Sequence, residues 1–160
     1  MIPAPSPGTH AAALARVAAH WLALGRSIDR LSVALTLLAL ATLRWTASSP
    51  SARLALAAAA VAGLAEKAYA LRVVFDHAIF ADWTRRWPAE DASAPERDLA
   101  AFDKALVAAG RPARAADRPL PERVRAATAL LKRQAVLLVG QVTALLVAAL
   151  CQDQPWLWHD

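Results

Sequence analysis

The chain has 160 residues, 58% of them hydrophobic and 19% charged, with a formal net charge of +5. Ordinary soluble domains are about 45–50% apolar and about 25% charged, so disorder, collagen-like repeats and a disulfide scaffold are excluded, and a lone Cys151 cannot close an intramolecular bridge. The basic residues are mostly Arg and interleave with acids between Glu66 and Arg133, which argues against nucleic acid as a partner and leaves membrane orientation as the use of the charge bias.

From Ala11 the apolar residues Leu14, Val17, Trp21, Leu24, Ile28 and Leu31 recur at steps of three and four. Arg16, His20, Ala23, Ser27 and Arg30 form a second, mostly polar stripe. The pattern predicts an amphipathic helix that feeds directly into a first span. That span is counted from Ile28 to Ala47, around the uncharged run Leu31–Leu43. Arg30 and Arg44 bracket the run and can snorkel to the interfaces.

Ser48 to Ser51, SSPS, ends this helix and opens the next, because Pro50 is tolerated in a first helical turn but not in a helix interior. A second span is counted from Ala52 to Leu71. No proline follows until Pro88, so the helix continues to Trp87. A helix of that length is on the order of 50 Å, longer than the hydrocarbon core is thick. Antiparallel pairing about the SSPS turn brings residues whose numbers sum to roughly 98 to one level. It sets Arg30 near Glu66 and Tyr69, Arg26 near Arg72 and Asp76, and His20 near His77. Small residues mark two contact stripes, Ala55, Ala59 and Gly63 on the second span and Gly140, Ala144 and Ala148 on the last.

Between Pro88 and Pro121 the composition changes. Ser93-x-x-Glu96 is a capping-box pattern, Pro95 sits near the start of a short helix, and Gly110 fits its stop. Leu99, Phe102, Leu106 and Ala109 give that helix one apolar face. Arg111 to Pro121 reads as a linker. A third long helix begins near Pro121 and enters a span from Gln134 to Gln152 that contains no charge. Lys132 and Arg133 precede that span, and Trp156 and Trp158 follow it.

The fold class is therefore all-α: three transmembrane helices extended into a small cytoplasmic helical bundle. Residues 1–87 hold the amphipathic helix and a transmembrane hairpin, with spans at about 28–47 and 52–71 and a cytoplasmic extension. Residues 88–120 hold the short helix and linker. Residues 121–160 hold the third long helix, a span at about 134–152 and an outer tail. The Lys/Arg asymmetry places the N-terminus in the cytoplasm and the C-terminus in the periplasm of a bacterial inner membrane. The start of the chain lacks the basic n-region of a cleavable signal peptide.

The densest polar constellation is Arg30 with Glu66, Lys67, Arg72, Asp76 and His77. Ionisable groups in a membrane segment mark either structural pairs or a proton relay. In the structural reading they anchor the helix, with Arg30 on Glu66. In the relay reading Glu66 and Asp76 carry protons and His77 titrates near neutral pH. His20 level with His77 raises a haem or metal reading, but two ligands do not make a closed site. Trp83, Trp87 and Phe102 are expected to be exposed and to form a partner surface. No residue is assigned a catalytic, cofactor-binding or metal-ligating role, and no cofactor is implied. The expected partners are the lipid bilayer and either another membrane or cytoplasmic protein or further copies of the chain; nucleic acid is not among them. The leading function is an accessory or scaffold subunit without enzymatic activity. The alternative is a subunit of an oligomeric channel or proton-coupled carrier, including a pore-forming or holin-like one.

Overall fold

The computed structural model describes residues 7–45, 49–87, 91, 93–110 and 118–151. It is all-helical, with α1 Pro7–Trp45, α2 Pro50–Arg86, α3 Ala94–Ala108 and α4 Leu120–Leu150 in chain order. The boundaries follow the local chemistry. Ser49 caps α2: its Oγ accepts the Ala52 N–H at 3.2 Å, and its carbonyl accepts the Arg53 N–H at 2.9 Å, with Pro50 in the first turn. α3 stops at Gly110, whose φ of +87° needs a residue without a Cβ.

The start of α3 departs from the sequence pattern. Ser93 is the N-cap residue but lies in the helical region, and its side chain makes no capping hydrogen bond. Instead its N–H and Oγ both donate to Asp91 Oδ1, at 3.0 and 2.7 Å. Arg97 reaches Asp91 Oδ2 at 2.5 Å. Asp91 thus organises the turn in place of a capping box. The Ser93 hydrogen bonds first, and Arg97 with them, hold its carboxyl below the usual carboxylate range.

Two compact units divide the chain. One comprises the described residues up to Leu24 and those from Val73 to Leu130. The other comprises Gly25–Arg72 and the described residues from Leu131 onward. In the first unit the core is aromatic. Trp83 stacks on Trp87 with centroids 5.3 Å apart, and meets Phe80 and Phe102 edge-on at 5.4 and 5.5 Å. Trp87 Nε1–H donates to Asp98 Oδ2 at 2.9 Å. Arg123 lies over the Phe102 ring and grips both oxygens of Asp103, at 2.6 and 2.8 Å. These contacts seat α3 against α2 and α4. They also correct the expected partner surface. Trp83 and Trp87 are only 2% and 4% exposed and Phe102 is half-buried, because three large rings lower their free energy more by stacking on one another than by facing water.

The second unit is a three-helix bundle built on a seven-residue repeat. Its inward positions are Gly25, Asp29, Ser32, Thr36 and Ala39 on α1, and Ala52, Leu56, Ala59, Gly63, Glu66 and Ala70 on α2. On α4 they are Leu131, Gln134, Leu138, Gln141, Leu145 and Ala148. Alternating steps of three and four are the spacing of knobs-into-holes packing. Near the SSPS turn Ala39, Leu56, Ala59, Ala60 and Ala148 form a compact apolar cluster. Ser49 Oγ ties the turn to the end of α4 by donating to the Cys151 carbonyl at 2.5 Å. The Cys151 thiol is free and half-buried.

What points outward is the reverse of a water-soluble bundle. Leu31, Leu37, Leu38, Leu54, Val61, Leu64, Leu71, Val136, Val139 and Leu146 are exposed, while the interior combines small and polar residues with a few leucines such as Leu56 and Leu131. In the first unit too, the large apolar stripe of α1 faces outward. Val17, Trp21 and Leu24 are 54%, 58% and 55% exposed, and the buried face runs through Ala15, Ala18, Ala19 and Leu22. Small residues allow close backbone approach, which is the packing helices use where lipid supplies no hydrophobic drive.

α2 and α4 are long and apolar enough to cross a membrane, and only 33% and 17% of their most apolar windows are buried. The core helix of a soluble protein would be mostly buried over such a window. α1 does not meet that measure. Asp29, Arg30 and Arg44 stand too close on either side of Leu31–Leu43.

Candidate functional site

The interior of the second unit carries two polar layers one heptad apart. Glu66, Gln134 and Gln141 are each 0% exposed. In the first layer Gln134 Nε2 donates to Glu66 Oε1 at 2.6 Å and to the Gly25 carbonyl at 2.9 Å. Lys67 closes the layer. It sits 2.8 Å from Glu66 Oε2, ion-pairs with Asp29 Oδ1, and donates to the Asp29 carbonyl at 3.2 Å. Two carboxylates therefore share one ammonium, with a carboxamide bridging all three helices.

In the second layer Thr36 Oγ1 donates to the Ser32 carbonyl at 2.7 Å. Gln141 Nε2 donates to Thr36 Oγ1 at 2.8 Å and to the Ser32 carbonyl at 3.2 Å. Gly63 makes room for this layer. A Cβ there would fall 1.9 Å from Thr36 Oγ1 and 2.7 Å from Gln141 Nε2. Ser32 Oγ, Gln134 Oε1 and Gln141 Oε1 are buried without a hydrogen-bond partner. Each layer is thus donor-matched on the amide nitrogen side only, and the unmatched oxygens carry a desolvation cost.

The structure brings together only part of the expected polar cluster. Glu66 and Lys67 meet, joined by Asp29 and Gln134, which the sequence reading did not single out. The Arg30–Glu66 pair is not made. Arg30 is exposed, because the inward stripe of α1 passes through Gly25, Asp29 and Ser32 and leaves its neighbour about 100° off that face. Arg72 is also exposed. Asp76 and His77 belong to the other unit, where both are half-buried and already engaged in interactions. His20 is exposed, and its Nδ1 lies 2.8 Å from the Arg16 carbonyl. Among the described residues no group of three or more His, Cys, Asp or Glu is placed to hold a metal ion.

Of the small-residue stripes, Ala59 and Gly63 are buried and Ala55 is half-buried. Gly140 faces outward with open space at its Cβ position, so the second stripe narrows to Ala144 and Ala148. The signal for the missed residues was the seven-residue spacing of Gln134 and Gln141 inside an otherwise apolar run. No family model, curated protein or solved structure matches the chain.

Proposed function

We propose that the chain is a small integral protein of a bacterial inner membrane and acts as a scaffold or accessory subunit without enzymatic activity. In this reading the second unit sits in the bilayer with all three helices spanning, and the aromatic-cored unit is presented in the cytoplasm. The supporting observation is the inverted exterior of the second unit, with large apolar side chains outside and Glu66, Gln134 and Gln141 inside. In water such a surface would drive aggregation, whereas in lipid it is the expected exterior. The polar layers then fix helix register, as buried polar residues do in coiled coils. Arg30 and Arg44 extend the short apolar run of α1 by snorkelling. With Trp83 and Trp87 in the core, the presented surface is that of α3 and its flanks.

A second reading, a channel or proton-coupled carrier subunit, is favoured by one observation: a fully buried Glu66 beside Gln134 Oε1, a buried oxygen without a partner. One experiment separates the two. The tagged chain is extracted from washed membranes with mild detergent, purified, and reconstituted in sealed vesicles. The scaffold reading expects recovery from the membrane fraction with one partner in fixed stoichiometry and no conduction. Proton or ion flux that Glu66→Gln abolishes would replace it with the carrier reading.

A further inference from the structure

The two polar layers fix the levels of the helices in the second unit. Gln134 reaches Gly25 and Gln141 reaches Ser32, 109 residues away in each case. This register sets Lys132 and Arg133 beside the turn of α1 that contains Arg26. Lys67 on Asp29, and Gly63 against Thr36, bring Arg72 of α2 to the same turn. Arg30 stands one turn further along α1. Arg30, Arg72, Lys132 and Arg133 are exposed, and they come from all three helices. The acids among the described residues of this unit are Asp29 and Glu66, and both are engaged by Lys67. The collar therefore keeps a net positive charge.

Along the bundle from it, Leu31, Val33, Leu37, Leu64, Leu71, Val136 and Val139 give an exposed apolar surface. At 1.5 Å per residue, the run from Arg72 back to Arg53 is about 29 Å and that from Arg133 to Leu150 about 26 Å. These lengths approach the hydrocarbon thickness of about 30 Å, which puts the collar at headgroup depth. Tyr69, half-buried between Lys67 and Arg72, is the aromatic type that settles at that depth.

We infer that Arg30, Arg72, Lys132 and Arg133 form a binding collar for the headgroups of anionic phospholipids, whose acyl chains lie along the adjoining apolar face. Arg guanidinium groups grip phosphate oxygens in pairs, and cations at a membrane surface add attraction for anionic lipid one by one. This inference rests on the membrane reading proposed above.

The test uses the full chain reconstituted in nanodiscs of equal parts phosphatidylglycerol and phosphatidylcholine, with lipids retained on the released protein counted by native mass spectrometry. The expected result is about tenfold enrichment of phosphatidylglycerol, falling to about twofold or less in Arg72→Gln/Lys132→Gln/Arg133→Gln. Those side chains are exposed, and unchanged circular dichroism checks that the variant is folded. Equal retention of both lipids by the wild type would overturn the collar while leaving the membrane reading intact. Displacement of phosphatidylglycerol by the same concentration of inorganic phosphate would overturn the lipid assignment in favour of a free anion. A chain that enters neither nanodiscs nor vesicles would overturn the membrane reading itself.

Discussion

Lys67→Met should destabilise the detergent-solubilised chain by about 2–3 kcal/mol, somewhat below the roughly 3–5 kcal/mol of a fully buried broken pair. Lys67 is the shared cation of Glu66 and Asp29, and Glu66 is wholly buried. Without the ammonium a carboxylate stays in the interior with only the Gln134 amide to stabilise it. The discount reflects the partial exposure of Lys67, whose charge solvent and headgroups also screen. Glu66→Gln removes the orphaned charge at nearly constant volume, so the double variant should regain about 1–2 kcal/mol relative to additivity. Arg30→Met, on an exposed side chain one position away from Asp29, should stay within about 0.5 kcal/mol of the wild type. Reversible unfolding followed by circular dichroism measures all four variants. A large effect at Arg30 with none at Lys67 would restore the pairing read from the sequence and refute the observed layer.

Gly63→Ala should cost about 2–4 kcal/mol, combining overpacking of about 1–3 kcal/mol with a strained or lost buried hydrogen bond of about 1 kcal/mol. The new methyl would stand 1.9 Å from Thr36 Oγ1 and 2.7 Å from Gln141 Nε2. Thr36 can rotate away only by giving up its hydrogen bond to the Ser32 carbonyl and its contact with Gln141. Adding Thr36→Ala should recover part of the loss, since it removes the atom that clashes. Gly140→Ala is the control, because its Cβ position is open. Replacing glycine inside a helix should stabilise there by about 0.5–1 kcal/mol. The same unfolding measurement compares the three. Equal effects at both glycines would show that neither lies at a close helix contact.

These two contrasts mark what the sequence carried and what it did not. Helix extents were legible because they depend on local chemistry: Pro50 in a first turn, Gly110 at a positive φ, and unbroken runs between prolines. The hairpin register was legible for the same reason. The SSPS turn sets the levels, and the Lys67–Asp29 contact falls within two residues of the sum expected from it. Facing was not legible. The first helix offers two apolar stripes, one large and one of alanines, and periodicity alone does not say which of them packs against its neighbours. Here the alanine stripe is inside, and the shift of one position from Arg30 to Asp29 follows from that facing. Gln134 and Gln141 carry no charge, so a span recognised by its lack of charge does not single them out. A seven-residue comparison with Gly63 and the acids would have set them inside. The aromatic core was missed for a different reason. Trp83 and Trp87 meet through one helical turn, but Phe102 reaches them only after α3 folds back, and that contact has no local signature.

The central claim is that the three long helices all cross the bilayer, including α1, whose uncharged run is the shortest. Reporter fusions at the N-terminus, near Ala115 and after Asp160, assayed in intact cells, test it most directly. Three spans place the N-terminal and Ala115 reporters in the cytoplasm and the C-terminal reporter outside. An N-terminal reporter found on the same side as the C-terminal one, opposite Ala115, would mean that only α2 and α4 cross, and would contradict the account.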